Sequence, residues 1–188
     1  RMNESVLQHF KALLEGESIK LNDLTSRELH KTTASLSSRG MLNSSPAFRA
    51  ITDTTVRTIP LFAQTAFNIL SRVMDAHSIA INETSRKEVE SVLSDAIGDE
   101  VETLVKLAAD QPTFKSTSFG NIGDNSLDEI RNAGAQEIKR ITTEIALIAI
   151  ANDRRTRDTG SGNTMIFNAP IGVVQTGPGS FGTAVQHI

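Results

Sequence analysis

The chain has 188 residues, an ordinary apolar content and a formal charge of -3 at neutral pH, and it contains no cysteine, tryptophan or tyrosine. Such a chain is globular and long enough to bury a substantial core, while disulfides, thiolate nucleophiles and zinc–thiolate sites are excluded. Nucleic acid is not expected as a partner, because phosphate binding rests on clustered Lys and Arg.

Met2 reads as the initiator, which leaves Arg1 outside the fold reasoning. No apolar signal core follows Met2, and a cytoplasmic location is expected. Val6, Leu7, Phe10, Leu13 and Leu14 recur at helical spacing and predict a first helix over 3–15, with Gly16 as its left-handed stop. Thr25-Ser26-Arg27-Glu28 fits a capping box with Leu24 and Leu29 in the staple positions, so a second helix is predicted over 26–39, closed by Gly40.

Ser45-Pro46 opens the first of three long elements, 46–78, because proline at the first helical position loses no needed N–H. Its stripe is Phe48, Ile51, Thr55, Ile59, Phe62, Ala66, Ile69 and Val73, and it keeps phase across Pro60. That continuity predicts one helix kinked at Pro60, which becomes a candidate hinge. Ser85-Arg86-Lys87-Glu88 reads as a capping box for the second long element, 85–110, whose stripe Val89, Leu93, Ile97, Val101, Leu104 and Ala108 passes through Gly98 and stops before Pro112. Within it Asp95, Asp99, Glu100 and Glu102 read as a solvated face without calcium-loop spacing. Residues 111–125 are rich in turn formers and predict a long loop, with Phe114 and Phe119 docking on the bundle.

Ser126-Leu127-Asp128-Glu129 is read as a third capping box, opening the last long element, 127–155. Ile138, Ile141, Ile145 and Ile148 are spaced three, four, three, as at the a and d positions of a heptad, and Asn152 takes the next a position. Isoleucine at both positions favours three or more strands, and a buried Asn can fix register; the same stripe also suits the core side of a helix in a single bundle. Leu147 and Ile150 lie off that seam, which places the helix at the centre under either arrangement. The run 145–151, IALIAIA, is far shorter than the roughly 18 residues a membrane-spanning helix needs. Arg154, Arg155 and Arg157 complement the dipole at the helix end.

Beyond residue 157 the composition changes, and Gly160, Gly162, Gly172, Gly177, Gly179 and Gly182 supply half of the chain's 12 glycines. Short β-prone runs at 164–168, 171–176 and 181–188 predict a Gly-rich β tail of three strands, too small to stand alone in water. Its stretch 177–185, GPGSFGTAV, matches the spelling of a nucleotide-binding glycine loop. A dinucleotide site needs a helix after the glycines, and a kinase needs a downstream lysine and two aspartates; residues 183–188 supply neither, so the glycines read as tight turns.

His9, His30, His77 and His187 are scattered, with no H-x-x-x-H pair, and no serine sits in G-x-S-x-G. No catalytic, cofactor-binding or metal-binding residue is therefore assigned, and no cofactor is expected. The expectation is a mainly α fold: a bundle of about five helices over 2–157 and the β tail over 158–188. Its expected role is non-enzymatic assembly as a homo-oligomer, with a trimer favoured and a further protein partner allowed. The expected interface is Ile138, Ile141, Ile145, Ile148 and Asn152 with Ile166, Ile171, Val173, Phe181 and Val185 of the tail. The alternative is a helical effector that perturbs membranes, and the third reading is a hydrolase with a dispersed site.

Overall fold

The computed structural model describes residues 2–115 and 120–159, with side chains as far as Arg155. Among these the chain forms α1 (Glu4–Ser38), α2 (Ser45–Val56), α3 (Thr58–Ala76), α4 (Glu83–Ala109), the single turn α5 (Pro112–Lys115) and α6 (Gly120–Thr159). The fold is mainly helical. Phe119, the expected strands and the glycine loop lie outside the described residues.

The two helices expected before Gly40 are one. Asn3 starts α1 by accepting from the Val6 N–H at 3.0 Å, and the helix then runs unbroken through Gly16 and Thr25. A Cβ added at Gly16 would meet nothing within 4 Å, so the glycine faces open space. Its cost of about 1 kcal/mol against alanine is outweighed by burial of Phe10, Leu14 and Leu29 on either side. Thr25 caps nothing, because its hydroxyl donates to the Leu21 carbonyl one turn back at 2.8 Å. Gly40 does close the helix: at φ 66 it donates to the Ser37 carbonyl while Met41 donates to that of Leu36, a Schellman turn. The same closure ends α3, with Ser78 at φ 56 in the glycine's place.

The apolar stripe expected across Pro60 is kept, and α2 and α3 are separated by the single residue Arg57, whose φ -62 and ψ -22 are themselves near-helical. Pro60 is the third residue of α3. It has no N–H for the Val56 carbonyl four residues back and its ring crowds that carbonyl, which accounts for the end of α2 at Val56. In α4 the N-cap is Asn82, not Ser85. Asn82 accepts from the N–H groups of Thr84 and Ser85, and the Ser85 hydroxyl accepts the Asn82 N–H at 3.0 Å.

The long loop expected over 111–125 is also corrected, since α5 occupies part of it and α6 begins at Gly120, with Ser126 inside the helix. Phe114 docks edge-on to the buried Phe48, ring centroids 4.9 Å apart. The most extensive helix contact is between α4 and α6. Gly134 makes it close: a Cβ there would stand 2.5 Å from Val101 Cγ2. Ile130, Ile141, Ile145 and Ala149 of α6 enter the same core as Leu93, Ile97, Val101 and Leu104 of α4. Helix α1 runs antiparallel to α3, since Thr25 meets Thr58 and His9 meets His77.

Candidate functional site

The isoleucine seam of α6 is used within one chain. Ile141 and Ile145 are fully buried, Ile138 and Ile148 pack half-buried against the same core, and the Asn152 amide donates to the Ile81 carbonyl at 2.8 Å. Within one chain Ile141 and Ile145 thus face the bundle core, while Ile138 and Ile148 keep part of their surface exposed. The opposite face carries Leu147, 64% exposed, and Ile150, 39% exposed, so α6 flanks the bundle instead of occupying its centre. The remaining interface residues, Ile166, Ile171, Val173, Phe181 and Val185, lie outside the described residues. Pro60, the candidate hinge, is exposed near the start of α3.

A second arrangement was not foreseen: a polar seam beneath α1. Stepping by four residues from Phe10 and Leu14 along the inner face of α1 reaches Ser18 and Asn22, followed by Thr25, Leu29 and Thr33. The Ser18 hydroxyl donates to Glu100 Oε2 on α4 at 2.6 Å and accepts the Asn22 amide at 3.2 Å. Thr25 and Thr58 pair hydroxyl to hydroxyl at 2.8 Å; because Thr25 gives its proton to Leu21, Thr58 is the donor. Further along, the Thr33 hydroxyl donates to Gln111 Oε1 at 2.9 Å. At the other end the Met2 N–H donates to Glu88 Oε2 at 2.9 Å, and His9 Nδ1 lies 3.4 Å from His77 Nε2.

Glu100 is the unusual member. Its neighbours Asp95, Asp99 and Glu102 are exposed as expected, but Glu100 is only 5% exposed, which corrects the reading of all four as a solvated face. Burial pushes its carboxyl above the ordinary value of 4.5, opposed by hydrogen bonds from Ser18 and Asn22. Glu100 Oε1 and Asn22 Oδ1 are both buried and have no hydrogen-bond partner among the described residues.

The two histidines face each other nitrogen to nitrogen, with ring centroids 5.7 Å apart, the separation of a head-on N–H···N hydrogen bond. Among the described residues no group of three or more metal-ligating side chains converges. A shallow open groove of approximately 200 Å³ lies between α1 and α3, lined by Leu13, Glu17, Thr65, Asn68, Ile69 and Arg72. No helix of the described residues is long and apolar enough to cross a membrane. No family model, curated protein or solved structure matches this chain.

Proposed function

We propose that the chain is a non-enzymatic assembly protein, in which the helical bundle presents the outer face of α6 and residues 158–188 join copies of the chain. The observation that carries this reading is the exposed pair Leu147 and Ile150 on a helix that leads directly into those residues. Residues 160–188 contain no Asp, Glu, Lys or Arg but include Ile166, Phe167, Ile171, Val173, Val174, Phe181 and Val185. Such a segment meets no like-charge repulsion when strands of different copies pair, and it gains by burying its apolar side chains. The test is the solution mass by light scattering. The full chain is expected as an oligomer, a trimer for a closed arrangement and larger species for an open one. A chain ended after Thr159 is expected as a monomer, and Leu147→Asp is expected to weaken assembly without unfolding the bundle. A monomeric full chain overturns the reading.

A second reading is favoured by α1 itself. This helix buries Val6, Phe10, Leu14 and Leu29, leaves Leu13, Ile19 and Leu24 exposed, and has polar contacts holding its middle. A helix so built could leave the bundle for a membrane interface. Dye release from anionic vesicles at low protein concentration supports this reading, and its absence leaves assembly alone.

A further inference from the structure

The contact between α1 and α4 contains a carboxylate with no cation. Among the described residues no Lys, Arg or His forms a salt bridge with Glu100. On α1, Glu17 and Lys20 pair with each other and Asp23 is exposed; on α4, Glu102 pairs with Arg131 and Asp99 is exposed. An ionised carboxylate held there by the Ser18 hydroxyl and the Asn22 amide alone, with no cation, is an uncompensated buried charge, and such a charge is strongly unfavourable. The neutral acid removes the charge and supplies a proton donor at a place where two acceptor oxygens, Glu100 Oε1 and Asn22 Oδ1, both lack one. A proton on Oε1 removes the charge and turns one of the two unsatisfied acceptors into a donor.

We propose that Glu100 is a proton-operated latch: with its carboxyl neutral it closes α1 onto α4, and loss of that proton loosens α1 around Ser18 and Asn22. The inference is independent of how copies assemble. The direction follows from linkage: a carboxyl raised on folding binds more protons in the folded than in the unfolded chain, so its stabilisation is complete below the ordinary value of 4.5 and is lost as pH rises through the raised one. The Ser18 hydroxyl opposes the latch, since its hydrogen bond favours the ionised form.

The test is a pH titration of the full chain by NMR, following the Glu100 carboxyl carbon and the Ser18 and Asn22 amides. The carboxyl is expected to titrate above 4.5, with both amides moving at the same midpoint. Ser18→Ala is expected to shift that midpoint upward, which loss of a merely structural contact would not do. Glu100→Gln, a permanently neutral isostere that still offers a donor to Asn22, is expected to abolish the transition and raise the melting temperature above the midpoint. A carboxyl titrating at or below 4.5, amides that do not follow it, or a midpoint unmoved in Ser18→Ala overturns the proposal.

Discussion

Helices α1 and α6 are both long and both touch α4, α6 along an extensive contact and α1 over a small one beside its main packing on α3 and α2, and they are held by different means. The contact of α6 is apolar and close, with Gly134 against Val101 and buried isoleucines along its length. The middle of α1 rests on hydroxyls, an amide and an unpaired carboxylate. Burial of apolar area stabilises without regard to protonation, whereas a net hydrogen bond contributes only about 1 kcal/mol and an unsatisfied partner takes more than that away. The α4–α6 pair is thus the foundation of the bundle. Helix α1 is its adjustable member, which is where the Glu100 latch acts.

The sharpest way to break this comparison is at Ile145. It is fully buried in the seam, so Ile145→Ala should cost about 2–5 kcal/mol in urea unfolding, with loss of the whole bundle and not of one helix. A cost under about 1 kcal/mol would mean that α6 is not part of the foundation. The polar seam should respond differently. Thr25→Val strands the Thr58 hydroxyl in a buried site and should cost about 1–3 kcal/mol, and adding Thr58→Val should recover most of the loss because both partners are then gone. If the double variant is as unstable as the single one, the hydroxyl pair contributes more than a mutually satisfied contact. The smallest effect is expected at Gly16, where an added Cβ meets nothing: Gly16→Ala should stabilise by about 0.5–1 kcal/mol, seen as slower local opening of α1.

The parts of this fold that were legible in the sequence are those set by local periodicity and turn chemistry. The stripes of α3, α4 and α6 read correctly because a helix repeats every 3.6 residues wherever it packs, and Gly40 read correctly because only a left-handed residue makes that closure. Gly16 misled because a glycine's cost is local while the burial that overrides it, at Phe10 and Leu29, is tertiary. The capping spelling at Thr25 misled for a related reason: its hydroxyl had two better partners, Leu21 and Thr58, one of them distant in the chain.

The candidate site was less legible. Glu100 is hidden among exposed acids, but its place three residues after Ile97 and four before Leu104 puts it on the buried stripe of α4. A second signal lay on α1, where Ser18 and Asn22 occupy stripe positions that call for apolar residues; polar side chains there imply a polar group opposite. The meeting of His9 with His77 depends on the antiparallel run of α1 and α3, which no local pattern encodes. Leu147 and Ile150 were visible as a second apolar face, but only the packing of α6 shows that this face is the exposed one.

Native-state hydrogen exchange, residue by residue at one pH, tests the division between the two helices most directly. Amides of α1 between Leu14 and Leu29 should exchange through a local opening whose free energy lies well below that of global unfolding, while those of α4 around Leu93–Leu104 and of α6 around Ile130–Ala149 should exchange only with the whole bundle. Equal protection of α1 and α6 would contradict the account, because α1 would then be as much a part of the foundation as the helix it is contrasted with.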